Sequence, residues 1–125
     1  MGAFLMLACD YRVGVQGQFK IGLNETLIGM TMHDFGIELA RYRIPLNYFN
    51  RSVINAELYA PSDAMEAGFY DTVIKIESME SNISEITQNF KNLNMSAFVG
   101  TKIKSRRALL ELLDECIEND MRMAV

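Results

Sequence analysis

A single carboxylate, Glu25, sits inside FKIGLNETLIGM, residues 19–30, where Ile21, Leu23, Leu27, Ile28 and Met30 all favour burial. A carboxyl group in apolar surroundings is harder to ionise, which makes Glu25 a candidate general base. On residue type alone, a carboxylate that follows a strand is more often simply solvated. Asn24 and Thr26 on either side of it fit a loop, in which backbone groups can hold a side chain in place.

Other reactive residues point to less. His33 and Asp34 are neighbours in sequence and do not face one another, so an aspartate at a helix start explains them better than a catalytic pair. Cys9 and Cys116 each lie in an apolar, helix-like stretch, and the lone His33 cannot complete a zinc site with them. Two buried free thiols are expected. The basic run Lys102, Ile103, Lys104, Ser105, Arg106, Arg107 could face phosphate groups, and a solvated helix face is the plainer reading. A net charge of −4 gives no general attraction to nucleic acid.

These residues need elements to position them. A chain of 125 residues fits one domain or part of one, and it can bury about two thirds of its unfolded surface. The start, MGAFLMLACD, has no basic residue before its apolar run and Met at position 6, so neither a secretion signal nor a myristoylation site is expected from it. It reads as a buried helix over residues 2–9, and the expected compartment is cytoplasmic, with no membrane segment. Four N-x-S/T sequons, at Asn24, Asn50, Asn82 and Asn94, are then chance matches. The alternation in residues 11–15 predicts a strand, and Phe19 to Gly22 a second short one. Phe35, Leu39 and Tyr42 predict a helix over 33–42, and another follows Pro45. Pro61 to Gly68 has proline near a helix start and glycine just past its end. Asp71 to Lys75 reads as a strand.

Residues 82–93 read as a helix opened by Asn82 with Glu85 as a capping pair, with Ile83, Ile86, Phe90 and Leu93 as its apolar face. Leu109, Leu112, Leu113, Cys116 and Ile117 make the clearest helical stripe. A start at Ser105 would put Arg106 and Arg107 at the positive end of the helix dipole and Glu118 and Asp120 at the negative end. A start near Asn94 or Ser96 removes half of that conflict. The residues alone therefore predict an α/β or α+β chain.

GAFLMLACDYRVG followed by FKIGLNETLIG resembles the enoyl-CoA hydratase/isomerase (crotonase) family, in which a buried helix ending in Cys-Asp leads to a strand and a G-x-x-E or G-x-P-E turn. Residues 64–73 are similar to that family's A-x-x-x-G-x-x-D-x-V signature. The resemblance covers most of the chain and implies the C-terminal portion of an α/β crotonase-like fold. Residues 1–75 would complete the core, and residues 76–125 would form a C-terminal helical region.

IGLNET is most similar to the mitochondrial-type isomerases of the family, and Glu25 falls on the family's catalytic glutamate. The hydratases' second carboxylate would fall at Phe4. One glutamate can take a proton from C2 of a 3-enoyl-CoA and return it at C4, whereas adding water benefits from a second group. The resemblance thus implies an isomerase, with a hydratase as the alternative and Phe4 lining the acyl pocket. It also implies an oxyanion hole with a donor at Met1, beside Gly2, and another upstream of this sequence. Lys102 and Lys104 are its candidates for the CoA phosphates. It implies no separate cofactor, since coenzyme A is part of the substrate, and a homo-oligomer, trimer or hexamer. Two departures are visible: no proline follows Glu25 closely, and little chain follows the last helix. A chain beginning at Met1 would start inside the family's domain. The expectation is then an enoyl-CoA isomerase or hydratase at full length, and an inactive chain, acting only by association, as it stands.

Overall fold

Apolar residues spaced three and four apart build most of the molecule, which the computed structural model describes from residue 2 to residue 123. Helix α1 (Gly2–Ala8) buries Phe4 and Leu7, one turn apart. Strand β1 (Val13–Val15) follows, then a 3-10 turn at Thr26–Ile28. Three helices come next: α2 (Asp34–Arg43), α3 (Leu46–Val53) and α4 (Pro61–Glu66), with Pro61 in the first turn of the last. Strand β2 (Thr72–Ile74) pairs parallel with β1 in the register Val13–Thr72, Gly14–Val73, Val15–Ile74. Parallel neighbours need a long crossover, and α2, α3 and α4 supply it. A 3-10 turn at Ile76–Ser78 leads into α5 (Met79–Lys91), and α6 (Met95–Met123) closes the described chain.

The core gathers Phe4 and Leu7 of α1, Leu39 and Ala40 of α2, and Phe49 of α3 around the fully buried Leu23 and Phe69. Helix α6 packs along α2 and adds Leu113 to this core, with Leu109 against its edge. Its start is fixed by Asn94, whose Oδ1 accepts the Ala97 N–H at 3.0 Å, as the charge argument predicts. That start leaves Arg106 and Arg107 in mid-helix. The other half of the conflict is resolved in space. The carboxylate of Asp120 accepts the backbone N–H groups of Asp34 (2.8 Å) and Phe35 (3.0 Å) at the first turn of α2. A charge badly placed on its own helix is thus well placed at the positive end of another. Burial pushes the Asp120 carboxyl up, and the two backbone bonds, with His33 nearby, bring it below its ordinary value.

Several expectations need correcting. Phe19 to Gly22 forms no strand, only the isolated antiparallel bridge between Ile21 and Tyr59, because a single partner residue is available there. Cys9 lies past the end of α1 and is exposed, so only Cys116 is a buried thiol. Helix α5 begins at Met79, and Asn82 does not cap it. The Asn82 Nδ2 donates to the Ser78 carbonyl at 2.8 Å, four residues back, which is the alternative use of an asparagine near a helix start. The predicted apolar face of α5 is largely uncovered: the helix has no buried residue, and Ile83 and Leu93 are exposed. The α6 stripe divides likewise, with Leu113 and Cys116 buried and Leu112 and Ile117 exposed. Tyr42 is exposed, while Phe35 and Leu39 face inward as predicted. No helix among the described residues is long and apolar enough to cross a membrane.

Candidate active site

Glu25 is set on a short turn that the chain anchors from both sides. On its N-terminal side the backbone of Ile21 exchanges two hydrogen bonds with Tyr59, at 3.0 and 2.8 Å, and Leu23 is fully buried. Gly22 passes so close to the 57–58 segment that a Cβ there would lie 2.6 Å from the Glu57 carbonyl oxygen, so this approach requires glycine. On its C-terminal side the Glu25 carbonyl accepts from Ile28 N (3.1 Å) and Met30 N (2.9 Å), closing the turn. Gly29 ends it at φ 80°, a left-handed conformation suited to glycine. The Thr26 hydroxyl then donates to the carbonyl of Ile54, just past the end of α3, at 3.0 Å.

The Glu25 side chain is half-buried, and its Oε2 is shielded from solvent with no hydrogen-bond partner among the described residues. Buried polar atoms are nearly always paired, so an unpaired carboxylate oxygen asks for an explanation outside the chain's own folding. A shielded carboxylate oxygen with no partner among the described residues is open to a hydrogen-bond donor from outside the chain.

The remaining sequence candidates are placed differently. Phe4 is 6% exposed, with its ring 5.0 Å from that of His33 and packed against Gly36 at the start of α2. Gly2 is exposed at the first position of α1, and Met1 lies outside the described residues. The Lys102 ammonium pairs with Asp10 at 2.5 Å, and Arg106 holds the other oxygen of the same carboxylate at 2.7 Å. These bonds, that of Lys102 first, draw the Asp10 carboxyl below its ordinary range despite some desolvation. A phosphate would have to compete for Lys102. Lys104 is exposed and makes no ion pair among the described residues.

Two motif pieces that the sequence shows far apart meet in a clamp whose arginine is buried and whose aspartate is partly exposed. Arg12, 6% exposed, donates through Nε and Nη2 to the two oxygens of Asp71, at 2.9 and 2.7 Å, and through Nη1 to the Gly68 carbonyl. The Arg12 N–H adds a bond to Asp71 at 2.8 Å, and the Asp71 N–H returns one to the Arg12 carbonyl at 2.8 Å. The Arg12 guanidinium holds the Asp71 carboxyl below the usual carboxylate range, against a smaller push from burial. The clamp joins the residue before β1 to the residue before β2 and so fixes the strand register. Both residues lie in motifs visible in the sequence, 59 positions apart, and an arginine beside an apolar strand is the signal that could have paired them. Neither Thr26–Ile54 nor Asp120–α2 has a comparable signal, because each depends on how separate helices pack.

The pattern of the family described as enoyl-CoA hydratase/isomerase matches residues 1–125. The chain belongs to that family. Among its solved members, a crystal structure of an enoyl-CoA hydratase/isomerase family protein from Pseudomonas syringae superposes with a TM-score of 0.95 at 52% identity, over 97% of this chain and 53% of that one. The apo structure of the Mycobacterium tuberculosis enoyl-CoA isomerase gives 0.89 at 29% identity, over the same shares of the two chains. Enoyl-CoA delta isomerase 1 of mouse mitochondria is 25% identical over 131 residues, which is 95% of this chain and 45% of the mouse protein. The chain thus spans about half the length of these relatives, and its fold is the C-terminal portion of the crotonase fold. Within the hydratase/isomerase family, the Arg12–Asp71 clamp gives the A-x-x-x-G-x-x-D-x-V signature a structural purpose in this chain: Asp71 is there to be gripped by Arg12.

Proposed function

We propose that, with the crotonase fold complete, this family member acts on acyl-CoA thioesters as an isomerase, moving a double bond from C3–C4 to C2–C3 with Glu25 as the one proton shuttle, and that this portion by itself would act only by association. The observation that carries this reading is the shielded, unpaired Oε2 of Glu25 on a turn anchored at both ends. The carboxylate takes a proton from C2, the electron pair moves into the thioester as an enolate, and the resulting carboxylic acid returns the proton at C4. Backbone N–H groups at the start of α1, with Gly2 exposed there, are the proposed stabilisers of the enolate oxygen. Phe4 supports isomerisation over hydration: the position where a second carboxylate would activate water holds a buried aromatic ring.

Lys102 and Lys104 remain the proposed contacts of the CoA phosphates, Lys102 by exchanging Asp10 for phosphate. The exposed apolar residues of α5 and α6 support self-association, and sedimentation of the native protein measures it. The functional test is product analysis. The native protein is incubated with a 3-enoyl-CoA and, separately, with a 2-enoyl-CoA. Formation of 2-enoyl-CoA from the first without 3-hydroxyacyl-CoA from the second is the expected result. Accumulation of 3-hydroxyacyl-CoA would replace isomerase by hydratase.

A further inference from the structure

We infer that Thr26 is a positioning residue for the Glu25 carboxylate, and that it acts by tying the glutamate's turn to the exposed end of α3. The inference rests on Glu25 being the proton shuttle. Three features of the geometry carry it.

The last carbonyls of a helix have no partner within it, and Ile54, the residue that caps α3, offers one of these. The Thr26 hydroxyl donates to it at 3.0 Å. This bond connects the residue next to Glu25 with a segment 28 residues away, and it is a side-chain bond that the turn's own backbone pattern does not require.

The acceptor side is itself rigid. After Ile54 the chain reverses through Ala56, which takes a left-handed φ of 52°, an uncommon state for a residue with a side chain. The N–H groups of Asn55 and Glu57 bond back to Asn50 and Arg51, both at 3.0 Å. The Arg51 guanidinium then grips both oxygens of Glu57 at 2.7 Å, closing the 51–57 reversal from outside. Tyr59, two residues on, is buried, bonds Ser52 at 3.1 Å and pairs with Ile21. The segment that receives Thr26 is therefore the same one that holds Ile21 and Gly22 ahead of Glu25. Both ends of the catalytic turn are fastened to one platform.

Among the described residues the Glu25 Oε2 has no hydrogen-bond partner to set its direction. Its aim comes from its backbone, and Thr26 is the adjacent residue whose side chain fixes that backbone. A misplaced general base loses rate steeply, because proton transfer needs the carboxylate within hydrogen-bond reach of the carbon acid.

The test compares Thr26→Val, which keeps the shape and removes the hydroxyl, with Thr26→Ser, which keeps the hydroxyl, in the native protein beside Glu25→Gln. Thr26→Val should lower kcat for 3-enoyl-CoA about three- to tenfold, the size expected for one ordinary hydrogen bond, with KM unchanged. Thr26→Ser should restore kcat, and thermal unfolding should shift little in either variant. Amide exchange at Met30, whose N–H bonds the Glu25 carbonyl, should quicken in the valine variant and not in the serine variant. If Glu25→Gln loses turnover while Thr26→Val matches the wild type in kcat and in exchange, the positioning role is overturned and the shuttle stands. A rise in KM with kcat unchanged also overturns it. Turnover retained by Glu25→Gln overturns the shuttle and the positioning role with it.

Discussion

The Glu25 turn and the Arg12–Asp71 clamp each hold one partly exposed carboxylate in place, and they are built in opposite ways. At the clamp each guanidinium nitrogen has a partner: Asp71 accepts from the backbone N–H, Nε and Nη2 of Arg12, and Nη1 donates to the Gly68 carbonyl. At the turn the Glu25 carbonyl accepts from Ile28 and Met30, Ile21 pairs with Tyr59 and the Thr26 hydroxyl donates to Ile54, while one carboxylate oxygen has no partner among the described residues. Saturation marks a group that holds the fold. An unfilled acceptor on a rigid support is what the proposed proton shuttle requires. On that proposal the same residue class serves stability in one place and chemistry in the other, and the difference lies in the partners.

The comparison is sharpened first at the clamp. Asp71→Ala leaves the Arg12 guanidinium buried without its counter-charge, and we expect a loss of about 3 kcal/mol in urea unfolding. The pH dependence has a definite sign. The Asp71 carboxyl lies below its ordinary value when folded, so its contribution is complete above about pH 4, the unfolded value, and disappears as pH falls through the lower folded value. The alanine variant should therefore lose part of the acid-side slope. A variant as stable as the wild type would remove the distinction between saturated and unsaturated carboxylates.

A smaller effect is expected at Asp120. Replacing it with alanine removes both acceptors from the first turn of α2 and should cost about 1–2 kcal/mol, in the range of a lost helix cap. Faster amide exchange at Asp34 and Phe35 is the direct readout. Exchange unchanged at both residues would mean that water replaces the carboxylate at no cost.

Much of this organisation was legible in the chain before any geometry. Helical spacing located α2 and α6, Pro45 marked the start of α3, and the position of Arg106 and Arg107 argued for the Asn94 cap that forms. Glu25 was singled out by its apolar surroundings and then by resemblance. What could not be read were features that arise between elements. The wrong strand at 19–22 has the right residue types for pairing and lacks a partner strand. The exposed Cys9 sits one residue beyond its helix, where an apolar stretch no longer implies burial. Asn82 has two local uses with the same neighbours, and only the true start of α5 decides between them. The service that Asp120 gives α2 spans 86 residues and follows from the packing of α6 along α2. The unpaired state of Glu25 Oε2 is likewise a property of surroundings that the local sequence does not contain.

Two weaker sites bound the comparison from below. Lys102→Ala should cost less than about 1 kcal/mol, because the pair with Asp10 is partly exposed and Arg106 stays on the same carboxylate. A loss of several kcal/mol would place Asp10 with Asp71 as a structural anchor. Ala56→Gly should change stability by no more than about 0.5 kcal/mol. The relief of a left-handed alanine, about 1 kcal/mol, is offset by the loss of a buried methyl group, about 0.8 kcal/mol. A clear stabilisation would show that the methyl group contributes little to the platform.

If Glu25 is held for chemistry and not for the fold, Glu25→Gln separates the two roles when turnover and thermal unfolding are measured on the same preparation. Isomerisation of 3-enoyl-CoA should fall about 10³-fold while the unfolding temperature stays close to that of the wild type. Retained turnover, or an unfolding temperature that falls together with activity, would mean that Glu25 is not the proton shuttle proposed.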